Sequence, residues 1–389
     1  MSPDQPSILY IYPRFNDARD PTAGGAENRT AHLLQTTSEA YDLSLLQAKP
    51  ESPIGENRPF KNIYFKPLTP AFLTDLNPSY WIALFRELRA NEYEIVQVES
   101  LGGILIALLL CALIQSDATV VYGSHNVEAE RVQSALNPNL SFYKRLGAPV
   151  IIPVLERIAV RYSDYVIAVS DRDRELFCEM YDIPGSKVFT VRSGTTPAGM
   201  GELENRKQVR SRYNLAEDDI ALVFHGTYDN YANREALETI REGIVPEFEE
   251  NTSIVVFIAG NGMPTFEHDT ITCVGFVSDL DSFLSAMDIA IVPLSSGAGT
   301  KLKVFDYMSV GLPIVATSKG MEGIDARDGT DAIVVENLGP EFTTAIENLI
   351  KNTKCRQTVG EMARELAENK YNWDTIGDEL RDVYSQIVY

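Results

Sequence analysis

The sequence predicts an α/β protein built as two doubly wound domains, each a parallel sheet covered by helices. Three observations predict it. Short runs such as ILYIYP (8–13) and SIVVFIAG (253–260) are apolar on nearly every residue, as strands buried on both faces are. Longer helical patterns alternate with them, which calls for right-handed strand–helix–strand crossovers. The alternation stops at the polar stretch TTPAGMGELENRKQ (195–208) and then starts again.

In chain order the first half places strands at 8–13, 43–48, 62–67, 95–100, 119–125, 165–170 and 187–193. Helices fit between them at 26–38, 79–90, 102–115 and 150–162. The second half places strands at 220–226, 253–260, 271–276, 289–294, 313–318 and 332–337. The tail NWDTIGDELRDVYSQIV reads as an amphipathic helix. The expected domains are 1–198 and 199–372, with 373–389 a C-terminal helix packing back toward the first. Two such domains are expected to face a central cleft, because open parallel sheets bind ligands beyond the carboxyl ends of their strands.

Composition narrows the function. The chain has 389 residues, 44% of them hydrophobic, which suffices for two cores. Its formal charge of −21 argues against a nucleic-acid partner, since phosphate backbones need a basic surface. Cys111, Cys178, Cys273 and Cys355 are scattered, with no CxxC and no histidine at metal spacing, so reduced thiols are expected. The start MSPDQPSILYIYP has neither a basic region nor an apolar core of a secretory signal, so the cytoplasm is the expected compartment. The apolar stretch GGILIALLLCALI (102–114) falls short of the ~20 residues that span a bilayer and is expected to be a buried helix.

Four stretches at strand ends carry the chemistry. In SGAGTKLKVFD (296–306), the small residues let backbone approach a ligand, and Thr300 or Ser296 is placed to cap the helix that follows. Lys301 and Lys303 add positive charge at that helix start, and Asp306 shares a face with Lys303. The set suits a diphosphate and a sugar hydroxyl; solvated lysines on an ordinary strand–loop–helix are the equal alternative. Gly24 and Gly25 precede a helix after the first strand, without GxGxxG or GxxxxGK[ST], so neither a dinucleotide fold nor a P-loop nucleotidase is supported. His125 in GSHNVEAERV stands where a strand ends, with Asn126 a candidate cap for the next helix. In FHGTYDNYANREAL (224–237), Gly226 leaves room for a phosphate and Asn233 is a candidate cap.

The ordered set GGAE, SHNVE, VIAVSDRDRELF, VFHGTYDNYANREAL, FIAGNG, VGFVSDLDSFLSAMDIAIVPL and GTKLKVFDYMSVGLPIVAT resembles glycosyltransferase family 4, the retaining GT-B transferases, over nearly the whole chain. The resemblance implies a GT-B fold and a nucleotide-sugar donor held mainly by the second domain. It implies a glycan or lipid-linked acceptor held mainly by the first. Asp306 matches the family's second glutamate, which binds the donor ribose; the first would fall at Ala298, a departure that removes a sugar contact. The family often carries Arg and Lys after the first strand of the second domain, whereas GTYDNYAN has neither, so Lys301 or Lys303 is expected to supply that charge. Gly24 and Gly25 match the loop near the donor phosphates, and His125 matches the histidine near the reacting sugar.

The expected catalytic residues are therefore His125, Lys303 and Asp306, and the expected donor contacts are Gly24, Gly25, Gly226, Gly299, Thr300 and Lys301. No acid cluster stands at metal spacing, so no metal ion and no other cofactor is expected. Residues 131–161 hold Arg131, Lys144, Arg145, Arg157 and Arg161 against the single acid Glu156, alongside SFYKRLGAPVIIPVL. That excess in an acidic chain suggests peripheral contact with an anionic membrane; a basic helix edge facing acidic neighbours is the plainer alternative. Rival functions are a non-catalytic relative that binds nucleotide-sugar or glycan, a solute-binding protein and a sugar epimerase.

Overall fold

The computed structural model describes residues 5–14, 16–22, 24–51, 59–134, 142–198 and 206–388, with side chains of 142–148 excepted. The side chains of Lys144 and Arg145, and residues 199–205 at the expected start of the second domain, lie outside the described residues. By its contacts the chain divides into two compact units, Met1–Ser193 with Trp373–Tyr389, and Gly194–Asn372.

The first unit runs β1 (Ser7–Tyr12), α1 (Gly25–Ala40), β2 (Asp42–Ala48), β3 (Lys61–Phe65), α2 (Pro78–Ala90), β4 (Ile95–Glu99), α3 (Ile104–Leu113), β5 (Thr119–Gly123), α4 (Glu128–Ser134), α5 (Phe142–Tyr162), β6 (Tyr165–Ala168), α6 (Asp171–Tyr181) and β7 (Val188–Thr190). All seven strands pair in parallel in the order β3-β2-β1-β4-β5-β6-β7. Strand alternation explains the all-apolar runs. Leu9 and Ile11 enter the core beneath α2 and α3, while Ile8, Tyr10 and Tyr12 enter a second core on the opposite face. Strand β7 stops short of its expected end, and just beyond it the carbonyls of Val191 and Arg192 accept from the guanidinium of Arg29.

The second unit runs α7 (Arg206–Arg212), β8 (Ile220–His225), α8 (Tyr231–Thr239), β9 (Ile254–Ala259), β10 (Ile271–Gly275), α9 (Leu280–Ser285), β11 (Ile289–Val292), α10 (Leu302–Ser309), β12 (Ile314–Thr317), β13 (Ile333–Val335), α11 (Pro340–Lys351) and α12 (Thr353–Lys370). Its six strands are parallel in the order β10-β9-β8-β11-β12-β13. One core holds the unit together, from Phe224 and Phe257 in the strands to Phe305 in α10 and Tyr371 just past α12.

The tail forms α13 (Trp373–Val388), which packs on α1 within the first unit. Trp373 stacks on His32 with ring centres 4.5 Å apart, and the buried Tyr384 hydroxyl donates to Gln97 in β4 over 2.8 Å. A side chain at Gly377 would collide with Thr36, so glycine there lets the two helices touch.

Candidate functional site

Both sheets reverse their winding direction beside their first strand. In the first unit β1 lies between β2 and β4, and in the second β8 lies between β9 and β11. Loops at such a point part to opposite sides and leave a crevice at the carboxyl ends of the strands. The candidate residues gather at these two points.

In the second unit, His225 ends β8 and Gly226 follows it. Gly260, at the end of β9 with φ +133°, comes so close that an added Cβ would lie 1.8 Å from the Gly226 carbonyl oxygen. A Cβ at Gly226 would itself stand 2.6 Å from Asn233 Nδ2 and 2.9 Å from Lys303 Nζ. The two glycines thus clear space for Lys303, which reaches this loop from the first turn of α10. Its ammonium donates to Asn233 Oδ1 over 2.6 Å and sits 4.0 Å from the centre of the Phe224 ring. Asn233 is held in turn by donating to the Thr227 carbonyl over 2.8 Å.

Burial lowers the Lys303 ammonium to about 7, with Lys301 pushing the same way and Asp306 opposing. Asp306 is one turn along the helix, with 37% of its side chain exposed. Its carboxyl is raised by the surrounding protein and by Asp281, and Lys303 opposes the rise. The Nε2 of His225 lies 3.5 Å from Asp306 Oδ2, and the ring meets Tyr307 edge-on. Burial keeps that imidazole neutral by lowering it to about 3, with Lys303 acting in the same direction.

Lys301 is the N-cap residue of α10 and gives no side-chain cap. Its ammonium donates to the Gly299 carbonyl over 2.5 Å and lies 3.5 Å from Glu322. Thr300 does not cap the helix either: its hydroxyl is buried without a hydrogen-bond partner among the described residues. Ser296 donates to Glu235 instead. Gly299, at φ +70°, turns the loop into the helix. The start of α10 therefore presents backbone N–H groups, a buried hydroxyl and two ammonium groups, a combination able to hold a diphosphate. Asn233 is not a cap: Asn230 caps α8 by accepting from the Ala232 N–H over 3.0 Å, which leaves Asn233 one turn inside, facing Lys303.

In the first unit Gly24 is the N-cap residue of α1 and also gives no side-chain cap; a Cβ on it would lie 2.7 Å from Glu27 Oε2. Glu27 is buried and accepts from the Tyr12 hydroxyl over 2.7 Å, so it is more than a solvated first-turn acid. Gly25 opens the helix. His125, just past β5, puts Nε2 3.4 Å from Glu99 Oε2 at the end of β4. Burial and the nearby Arg14 and Arg29 hold His125 well below the usual range, so its ring is neutral. The Asn126 role at α4 falls to Glu156, whose two carboxylate oxygens accept from the N–H groups of Glu128 and Ala129, each over 2.8 Å.

The sequence reading missed His225 and Glu99, and it gave Asn233 the role of a cap. His225 had a signal, since it occupies a strand end as His125 does. Asn233 and Glu99 gain meaning only from what folds against them. Among the described residues no group of three or more His, Cys, Asp or Glu side chains converges as a metal site would require. In the segment 131–161, Glu156 is buried, Arg131 is exposed but paired with Glu128, and Arg157 and Arg161 are exposed as well.

Comparison with known proteins adds the following. Residues 23–198 match the model "Glycosyltransferase Family 4", and residues 219–352 match "Glycosyl transferases group 1". The α-D-kanosaminyltransferase of Streptomyces kanamyceticus is 26% identical over 268 residues, 64% of this chain and 66% of that one. The Anabaena protein HepE in complex with UDP and glucose superposes with a TM-score of 0.70 at 14% identity, covering 97% of this chain and 99% of that one. Sucrose-phosphate synthase from Thermosynechococcus elongatus gives 0.72 at 18% identity, covering 98% and 99%.

Proposed function

The chain belongs to glycosyltransferase family 4 and has the GT-B fold, and on that premise we propose that it moves a sugar from a nucleoside-diphosphate donor to a glycan or lipid-linked acceptor with retention at the anomeric carbon. The observation that carries this reading is Lys303, whose ammonium stands at the Gly226 loop beside Asn233. The family often places Arg and Lys on that loop; here the loop has neither, and a lysine from α10 fills the space.

The residues divide the work as follows. Backbone N–H groups at the start of α10, the Thr300 hydroxyl and Lys301 hold the diphosphate. Lys303 stabilises the charge that grows on it as the bond to the anomeric carbon breaks. Asp306 accepts from the ribose hydroxyls. The acceptor oxygen bonds to the anomeric carbon on the face the diphosphate leaves, and its proton departs with the diphosphate. By family resemblance Gly24 and Gly25 are assigned to the donor phosphates, and neutral His125, backed by Glu99, to the reacting sugar. No divalent cation is required in this scheme, because the lysines and helix end supply the positive charge. The UDP and glucose bound by the Anabaena protein of similar fold support a donor of this class. Retained cations and Asp306 favour transfer over binding alone.

Calorimetric titration with UDP, GDP, ADP and CMP, each with and without magnesium, tests the reading. One nucleotide should bind well and equally in both conditions. Binding by none would overturn the donor site, and binding that vanishes with EDTA would overturn the metal-free scheme.

A further inference from the structure

Helices α2, α3 and α5 lie side by side over one face of the first sheet. A helix facing water ordinarily shows it a polar stripe. These do not. The exposed side chains of α2 include Trp81, Ile82 and Phe85, at 42%, 52% and 44%. Leu109 and Leu113 stand out from α3 at 49% and 67%. Val150, Ile151, Val154 and Ile158 do the same on α5. Among the described residues, the charged side chains exposed on these helices are all cations: Arg86 and Arg89 on α2, Arg157 and Arg161 on α5. In a chain with 55 acidic residues, the only acids in these three helices are Glu87 and Glu156, and both are buried. The next helix, α6, exposes Asp171, Glu175 and Glu179, so the sign changes at the border.

We propose that this three-helix face rests on the surface of an anionic lipid bilayer. Its apolar side chains would enter the acyl boundary while the arginines meet headgroup phosphates. A face of this size left in water is the mark of an interaction site. Its charge, opposite to that of the chain as a whole, fits a negatively charged partner. The face lies on the bilayer rather than across it: among the described residues no helix is long and apolar enough to span one. The surface is wider than the 131–161 segment that the sequence singled out, because α2 and α3 supply half of it. The inference goes beyond the transfer reading and does not depend on it.

Flotation of the full chain with vesicles tests the proposal, using phosphatidylcholine alone and phosphatidylcholine with one quarter phosphatidylglycerol. The chain should float with the anionic vesicles at low salt and much less with the neutral ones. The pairs Trp81→Ser with Phe85→Ser, and Val150→Ser with Val154→Ser, should each weaken that binding roughly ten-fold or more, with circular dichroism and nucleotide binding unchanged. Absence of binding to either vesicle would overturn the proposal, as would a stable dimer in solution that the same substitutions dissolve. Nucleotide binding is read separately, so a chain that floats but binds no nucleotide leaves this face standing and removes the donor site.

Discussion

Lys303 donates its ammonium proton to Asn233 Oδ1 over 2.6 Å, joining α10 to α8 across 70 positions of sequence. The contact puts a cation at the end of β8, where the sheet changes winding direction and where the loop itself carries no cation.

Lys303→Ala and Asp306→Ala should each lower kcat/KM for the donor about ten-fold or more, the effect of losing roughly 1.4 kcal/mol at the transition state. Lys303→Ala should act mainly on kcat, because charge on the leaving group grows during reaction. Asp306→Ala should act more on the donor KM, because a ribose contact is already made in the ground state. Steady-state kinetics checks both, and unchanged constants in both variants would sink the assignment.

Donor binding should weaken as pH rises above about 7. Burial lowers Lys303 to about 7 in the free protein, and a bound diphosphate pulls it back up. Below that value the lysine is already charged; above it, each binding event must take up a proton. The loss should therefore approach ten-fold per pH unit until the value in the complex is reached. Calorimetry in buffers of different ionisation enthalpy should find close to one proton taken up at pH 8. The same shift fixes the sign for folding without ligand. The unfolded chain, with Lys303 near 10.5, binds more protons, so this residue's contribution to stability rises with pH between about 7 and 10.5.

Asn233→Asp sets a carboxylate against the Lys303 ammonium and should raise its pKa. The fall in donor affinity should then begin at a higher pH, while affinity at pH 6 drops because the added charge repels the diphosphate. A pH profile identical to that of the parent would show that Asn233 does not tune this lysine.

Gly260→Ala should cripple donor binding. Its Cβ would lie 1.8 Å from the Gly226 carbonyl oxygen, in a backbone conformation at φ +133° that side chains disfavour. The Gly226 loop must move, and Asn233 and Lys303 move with it. Expected costs are about 2 kcal/mol or more in stability and a clear loss of nucleotide affinity, measured by denaturation and calorimetry. Gly243→Ala, where nothing stands within 4 Å, is the control and should be harmless.

Glu156→Ala should destabilise the first unit by about 2–4 kcal/mol. Three donors converge on this fully buried carboxyl: the N–H groups of Glu128 and Ala129 and the Tyr181 hydroxyl. Burial raises it to about 7 against the pull of those donors. Removing it strands all three. Urea unfolding, followed by the fluorescence of Trp81 and Trp373, both in the first unit, measures the loss.

The fold was legible in the sequence to a fine grain. All thirteen runs read as strands became strands, most within two residues of the expected ends, because a strand buried on both faces needs a short, local apolar run, while the longer apolar run at 102–114 became a helix. The restart of the pattern likewise announced two sheets. The strand-end position of His125, Gly226 and the 296–306 loop was also readable, since it follows from where each run stops. Tertiary structure decided the rest. Whether Lys301 or Lys303 reaches the β8 loop depends on how α10 is rotated against the sheet, which spacing alone leaves open. Asn233 looked like a cap because caps are local; its contact with Lys303 needs a partner 70 residues away. Glu99 reads as the end of a strand until β5 pairs beside it and brings His125 within 3.4 Å. The sequence determined the elements and their order, because burial on two faces is written residue by residue. Only the folded chain decided which side chains meet, because proximity across a sheet is set by strand order and helix rotation, and neither is encoded at any single position.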